Sequence, residues 1–444
     1  MKQLRPYQAE GAAFLASRKT ALLADGMRVG KTAAAIGGAD LIGAEDILWL
    51  TTGSARSDHA FAFDDFEKYP RGAAMPIYSG NERIPFSGTV ITSYALATGA
   101  LRERLMKRRF DLCVLDEAHA LKEPASLRTM SIYGEKLDLD GGLAGQADRT
   151  WLLTGTPTPN HNAELFTHLR ALYPEAVIGP KTGRPWSYLQ FRLKYCKLKS
   201  NGWEQKIVGS KNFDLLKEKI APFHLRRTLR DVRPDMPAMQ FDVLPLDAEF
   251  RVPASLAPEA AEVERVLREE GFDGLAKASP HSATLRRYTG LAKVEPVADW
   301  VRDQFDGGMT KLVLFAVHTE VVRGLVEALH KRGFRKSVVS IEGATPPKAR
   351  DARKEMFQTR GDCRIMVGQI DACGEAVDFS AADEELFVEQ SWSGGVNEQA
   401  AYRILNVNKA VSTLARVAMF AGSYDDNVSR VVVRKLEDSS ALWD

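Results

Sequence analysis

Cysteine is scarce: four in 444 residues, Cys113, Cys196, Cys363 and Cys373, with no C-x-x-C spacing among them. That argues for buried, reduced thiols and against a zinc module or a disulfide framework. Long hydrophobic runs are missing too. None approaches the ~18 residues of a membrane span, so no membrane partner is expected. The N-terminal stretch lacks a signal-peptide core, because Arg5, Glu10, Arg18 and Lys19 interrupt it. A soluble, cytoplasmic protein is the expectation. Nor is there an excess of either charge. Lys and Arg number 60, Asp and Glu 58, for a net +2. This excludes a polycation but not a local basic groove. What is present is 45% hydrophobic and 27% charged. A chain of that kind is not disordered, and its length suits roughly two to three domains at about 150 residues each.

Short apolar runs alternate with longer amphipathic stretches. Residues 21–24, 47–51, 89–92, 112–116 and 150–154 read as buried strands. Helical patterns and turns between them predict an α/β fold with a parallel sheet. A second such series occupies 311–315, 338–341, 365–367, 386–388 and 415–420. Two α/β units of similar size are expected, without a direct sequence repeat. From about 159 to 290 the rhythm is poorer and reads as helical excursions plus a linker. Within it, 181–211 carries eight Lys/Arg against one acid, Glu204, with Trp186, Tyr188, Phe191, Tyr195 and Trp203 interleaved. Cations such as Lys197 and Lys199 track phosphates and rings stack on bases, so this segment suits a nucleic-acid surface. A solvated helix whose rings pack inward is the competing reading.

The run Ala24-Asp25-Gly26-Met27-Arg28-Val29-Gly30-Lys31-Thr32 follows a strand and opens an Ala-rich helix. That is the context a phosphate-binding loop requires. Its backbone N–H groups and the helix N-terminus favour anionic phosphates, Lys31 adds a positive charge, and Thr32 can ligate Mg²⁺. A strict loop of this type has glycine at position 25, where this chain has Asp. A chance Gly-Lys-Thr at a helix start is the alternative. A second strand ends in Asp116-Glu117-Ala118-His119. Strand C-termini are where open α/β sheets place their chemistry. Asp116 can hold Mg²⁺, directly or through water, and Glu117 can orient or deprotonate an attacking water. A helix N-cap with an acidic first turn is the bland reading.

In this order the motifs resemble superfamily-2 helicases and, within them, the Swi/Snf-type double-stranded DNA translocases. The resemblance covers nearly the whole chain. Leu4-Arg5-Pro6-Tyr7-Gln8 is similar to the adenine-recognising segment, with Gln8 reading the base. Asp25 matches the family's own variant of the loop, and residues 116–119 resemble the DEAH box. Ile91-Thr92-Ser93-Tyr94 is similar to a DNA-strand-contacting motif, and Leu153-Thr154-Gly155-Thr156-Pro157 to motif III. Phe223-His224-Leu225-Arg226-Arg227-Thr228 resembles the Arg-Arg hinge that precedes the second lobe. Thr289-Gly290-Leu291-Ala292-Lys293 continues the likeness. Phe315-Ala316-Val317-His318 is similar to motif IV, 369–378 with Gly374-Glu375-Ala376 to motif V, and Gln399-Ala400-Ala401-Tyr402-Arg403 to the start of motif VI.

The resemblance implies two RecA-like parallel-sheet lobes with helical insertions between them. Lobe 1 would span 1–230, with a basic helical insertion at about 160–225; 231–290 would be a linker and helical excursion; lobe 2 would span 291–444. It implies ATP and Mg²⁺ as ligands. Arg5, Gln8, the loop 26–32, His119, Gly374, Glu375 and Gln399 would bind nucleotide, Thr32 and Asp116 the metal. Lys31, Asp116, Glu117 and Arg403 would carry the chemistry. Ser93, Tyr94, Thr156, Lys197, Lys199, Arg226, Arg227 and His318 would contact nucleic acid. The implied activity is ATP-driven movement on duplex or branched DNA, with RNA the less expected partner. A strand-separating DNA or RNA helicase, or a nucleotide-gated DNA-binding protein with weak turnover, are the alternatives. Two departures stand out. Residues 51–54 lack the family's proline, and Asn406 stands where motif VI carries a second arginine, the finger. Arg403 itself or Lys409 are the candidate replacements. The absence of zinc and chromatin-reading modules suits a prokaryotic or viral setting, a nuclear one not being excluded.

Overall fold

The computed structural model describes residues 2–443 except 54, 156, 159–160, 180–182, 201–204, 272–273, 276–281, 374–377 and 393. The chain divides into two compact units, Met1–Val232 and Arg233–Asp444.

Seven strands form the sheet of the first unit. They are β1 Thr20–Leu23, β2 Ile47–Thr51, β3 Met75–Pro76, β4 Thr89–Ser93, β5 Phe110–Asp116 and β6 Ala147–Leu153, joined after a hairpin (β7 Cys196–Ser200, β8 Gln205–Ser210) by β9 His224–Leu225. Their order is β3-β4-β2-β5-β6-β1-β9, and every pairing in it is parallel. All residues of β2 and β4 are buried. A central parallel strand is covered on both faces, so it reads as a continuous apolar run. Alternate residues serve opposite faces: Leu48 and Leu50 join a cluster with Tyr133, Phe191 and Phe223, while Ile47 and Trp49 join one with Leu15, Phe63 and Trp151. Parallel neighbours need crossovers; the helices Lys31–Leu41 and Arg56–Phe66 follow β1 and β2 in the chain.

The second unit repeats the plan. Its strands are β10 Gln240–Pro245, β11 Leu312–Ala316, β12 Val338–Ile341, β13 Ile365–Gln369, β14 Glu384–Phe387 and β15 Leu414–Met419. They lie in the order β10-β15-β14-β11-β13-β12, again all parallel. Apolar clusters cover this sheet too, one built on Phe315, Phe379 and Phe387, another on Val297, Val301 and Leu314.

The middle of the chain departs from the expected linker and helical excursions. The insertion at 160–225 is only partly helical, because β7 and β8 pair antiparallel within it. β9 adds an edge strand to the first sheet. Within 231–290, β10 pairs with β15 along its full length; its half-exposed side chains give an edge strand a weak apolar signal, which is why composition alone missed it. All four cysteines are buried and free. Among the described residues no helix is long and apolar enough to cross a membrane.

A parallel sheet delivers the C-terminal ends of its strands to one edge. In the first unit that edge gathers the residues that leave β2, β5, β6, β1 and β9.

Candidate active site

The phosphate loop leaves β1 through buried Ala24 and Asp25. Arg28 and Gly30 both take positive φ, 63° and 96°, and Gly30 caps the helix Lys31–Leu41. A left-handed cap at that point suits glycine alone for a second reason: a Cβ there would collide with Gln8 Nε2. Gln8 therefore lies directly on the loop. Its Oε1 accepts from the Arg5 amide at 2.9 Å, which fixes the side chain at the start of the helix Pro6–Ala16. Lys31 Nζ donates to the carbonyls of Asp25 (3.0 Å) and Gly26 (3.2 Å). Burial pulls its ammonium below the usual lysine value, while the carboxylates of Glu117, Asp116 and Asp25 pull it up and Arg226 pulls it down.

The acid pair sits at the end of β5, two strands away. Asp116 Oδ2 accepts from Thr51 Oγ1 at 2.8 Å and lies 2.8 Å from His59 Nε2. His59 is buried with its ring centroid 5.1 Å from that of Trp49. Glu117 takes a left-handed backbone conformation, φ 49° and ψ 48°, which costs roughly 1–2 kcal/mol for a residue with a Cβ. His119 Nδ1 lies 3.3 Å from Glu117 Oε2 and 3.2 Å from Thr154 Oγ1. It thus ties the acid pair to the end of β6. The next residue, Gly155, rests on the loop: a Cβ there would meet Met27 Cγ at 3.2 Å and Lys31 Nζ at 3.4 Å. Thr156 lies outside the described residues.

These groups fit Mg²⁺. Asp116 at the end of β5 and Thr32 in the first turn after the loop would offer hard oxygen ligands, and Thr51 and His59 hold the Asp116 carboxylate by one oxygen. Among the described residues no cluster of three or more acidic, His or Cys side chains could cage a metal by itself. Mg²⁺ in phosphate sites takes one or two protein oxygens, with waters and phosphates completing the shell.

Several residues expected at a nucleic-acid surface are placed elsewhere. Tyr94 is buried, its hydroxyl donating to the Asp116 carbonyl at 2.7 Å; the chain leaving β4 turns it into the core. Ser93 is buried too, its Oγ accepting from the Leu96 amide at 3.3 Å. Arg227 grips Asp25, with Nε 3.1 Å from Oδ1 and Nη2 2.5 Å from Oδ2. Arg226 Nη1 lies 3.3 Å from the Ala24 carbonyl and 3.5 Å from that of Gly155. Both arginines belong to the phosphate loop because β9 pairs beside β1. His318 is held 2.7 Å from Glu389 Oε1, and its amide donates to Oε2 of the same carboxylate. In the basic segment Phe191 and Tyr195 are buried among core residues, so those rings pack inward; Trp203 is outside the described residues. Lys197 and Lys199 are exposed on β7.

Gln399 is half-buried on the helix Gly394–Ala401, and Gly374 and Glu375 are outside the described residues. Arg403 follows that helix, its carbonyl accepting from the Phe379 amide at 3.0 Å. Its charge, with those of Arg350 and Lys354, opposes the burial that pushes the Cys373 thiol up to about 12. Asn406 Oδ1 accepts from the Asn408 amide at 2.9 Å, a turn that ends the helical register before position 406. Lys409, the other candidate finger, is buried and bonded to Asp383 and to the Ala382 carbonyl. Sequence reasoning missed Thr51 and His59. The only signal for Thr51 was its position at the end of a buried strand; His59, within the helix Arg56–Phe66, gave none.

A phosphate loop and an acid pair on one parallel edge define a nucleotide-binding α/β protein. Comparison with known proteins narrows this. Residues 80–249 match the SNF2-related domain, a span that holds the acid pair and both hinge arginines. Over 98% of its length the chain is 26% identical to the SWI/SNF-related matrix-associated actin-dependent regulator of chromatin subfamily A-like protein 1 of Drosophila melanogaster, covering 55% of that protein. It is 28% identical to the Xenopus tropicalis protein of the same name, covering 44%, and 24% identical to the Bos taurus DNA annealing helicase and endonuclease ZRANB3, covering 40%. The chain spans about half the length of these relatives, or less. The Sulfolobus solfataricus SWI2/SNF2 ATPase core in complex with dsDNA aligns with TM-score 0.45 at 18% identity, over 100% of this chain and 92% of that one, a likeness too slight to carry a conclusion. The chain thus carries an SNF2-related domain at residues 80–249 and is similar along nearly its whole length to SWI/SNF-related proteins.

Proposed function

We propose that the chain hydrolyses ATP and uses the cycle to move on duplex DNA. The observation that carries the reading is the meeting of Lys31, Asp116–Glu117 and Thr154–Gly155 on one sheet edge, tied together by His119. Lys31 exchanges the loop carbonyls of Asp25 and Gly26 for phosphate oxygens. Glu117 orients the attacking water and takes its proton. Thr32 and Asp116 would hold Mg²⁺, which when bound would supply charge neutralisation at the phosphates. His119 links the state of Glu117 to Thr154. Arg403 supports turnover, and exposed Lys197 and Lys199 give DNA contact that is sequence-tolerant and salt-sensitive. The relative named as a DNA annealing helicase supports duplex or branched DNA as the substrate.

A second reading, a nucleotide-gated DNA binder with weak turnover, is favoured by one observation: Asn406 closes its own turn and Lys409 is committed to Asp383. Steady-state phosphate release with saturating duplex DNA, single-stranded DNA or RNA separates the cases. Duplex DNA should stimulate most. Stimulation by RNA equal to or above that by duplex DNA would overturn the DNA-translocase reading, and a rate unmoved by any nucleic acid would favour the gated binder.

A further inference from the structure

The two arginines before the unit boundary do different things. β9 pairs in parallel with β1, and the ladder runs on past both strands: the Ala24 amide donates to the Leu225 carbonyl at 2.7 Å and the Gly26 amide to the Arg227 carbonyl at 2.8 Å. Residues 225–227 are therefore held in register beside the phosphate loop by backbone alone. Arg227 points to one side. Its guanidinium forks onto Asp25 through Nε and Nη2, its amide donates to Asp25 Oδ1 at 2.9 Å, and Nη1 bonds the Tyr7 carbonyl. A guanidinium has five N–H donors in a fixed plane, and this geometry commits Arg227 to the loop.

In an extended segment the next residue back faces the other way. Arg226 Nη1 accordingly lies 3.3 Å from the Ala24 carbonyl and 3.5 Å from the Gly155 carbonyl, between the loop and the end of β6. That is the groove in which Gly155 lies against Lys31 Nζ. Two side-chain cations thus converge on the loop. The carbonyl contacts of Arg226 are long and weak, whereas guanidinium and phosphate form short, charge-assisted, often bidentate bonds. Two like charges on one groove favour an anion between them. The second unit, meanwhile, offers Asn406 in a closed turn and Lys409 in an ion pair.

Resting on the nucleotide reading above, we propose that Arg226 contacts the terminal phosphate of ATP from within the first unit, with the Arg227–Asp25 pair positioning it. Arg226 then supplies positive charge at the terminal phosphate from the first unit itself. This predicts discrimination between ATP and ADP, because only ATP carries the phosphate that Arg226 reaches.

The test is equilibrium binding of MgATP and MgADP in a Glu117→Gln background, for the parent, Arg226→Gln, Arg226→Lys and Lys31→Ala, with duplex-DNA affinity measured without nucleotide. Arg226→Gln should lose ATP affinity by about tenfold or more, the loss expected of a charged hydrogen bond, while ADP affinity falls less than about threefold on the same reasoning. Arg226→Lys should fall between, and DNA affinity should hold. An unchanged ratio of ATP to ADP affinity overturns the proposal, as does a drop in DNA affinity with no change in that ratio. If Arg226→Gln fails to fold by circular dichroism, the ratio in Arg226→Lys decides. Nucleotide binding in the parent that survives Lys31→Ala, or is absent from both, overturns the nucleotide reading itself and this proposal with it.

Discussion

Replacing Arg227 with Gln removes one half of a buried ion pair. The Asp25 side chain is 2% exposed and that of Arg227 is 13% exposed, so solvent screens neither well. Breaking such a pair from one side leaves a desolvated carboxylate opposed by the backbone amide of residue 227 at 2.9 Å and by the Lys31 charge. The cost is about 3–5 kcal/mol in buried pairs of this kind. At roughly 2–4 °C per kcal/mol for a unit of this size, the first unit should melt roughly 6–20 °C lower. Asp25→Asn should cost less, because the guanidinium keeps the Tyr7 carbonyl and Glu10 Oε2 at 3.5 Å. The double variant Asp25→Asn/Arg227→Gln leaves no unpaired charge, so it should be more stable than the sum of the singles by about 2 kcal/mol or more, a coupling expected of directly bonded partners. The assay is urea unfolding followed by tryptophan fluorescence, in which Trp49 and Trp151, both fully buried in the first unit, report its transition. Additive losses below about 1 kcal/mol each would mean the pair behaves as a surface salt bridge, and the anchoring of the phosphate loop by Arg227 would be wrong.

Glu385 is 1% exposed in β14, and its carboxylate oxygens have no hydrogen-bond partner among the described residues; burial pushes its carboxyl well above the usual range. Folding therefore takes up a proton above the unfolded value of about 4.5, and the favourable contribution present below that pH is lost as pH rises toward the folded value, at about 1.4 kcal/mol per pH unit. Thermal melts of the parent and Glu385→Met at pH 5, 6 and 7 should show the variant's advantage growing with pH, and parallel curves would refute the buried acid. His59→Phe keeps a ring beside Trp49 but removes the partner 2.8 Å from Asp116 Oδ2; ATP binding without metal should hold while the Mg²⁺ concentration for half-maximal ATPase rises about tenfold, as when an outer partner of a metal ligand is lost. A Mg²⁺ dependence equal to that of the parent would remove His59 from the site.

Most of the ten expected strands were legible because a central parallel strand is apolar on both faces: β2 matches the expected 47–51 to the residue. β12, an edge strand, matches 338–341 because its own run is apolar. The edge strands β3, β9 and β10 were not. β9 is two residues long, and β10 alternates half-buried with exposed positions, so neither stands out from a loop. The phosphate loop and acid pair were legible because their chemistry is local in sequence. The surroundings of these residues were not, since they depend on strand order. Arg226 and Arg227 read as hinge residues contacting DNA, and β9 beside β1 brings them to the phosphate loop; Tyr94 read as part of a DNA-contacting motif, and its hydroxyl is found on the Asp116 carbonyl. His59 gave no signal because a lone histidine on an amphipathic helix is ordinary; only the fold brings it to Asp116.

Everything proposed for this chain depends on ATP being hydrolysed on the sheet edge that joins Lys31 to Glu117. The decisive measurement is single-turnover hydrolysis by purified Glu117→Gln with saturating duplex DNA, with ATP binding measured on the same sample. ATP should bind at close to the parental affinity while cleavage slows by at least about a hundredfold, the lower end of what a positioned general base contributes. Cleavage at the parental rate would contradict the assignment of the water-activating group and, with it, the location of the chemistry.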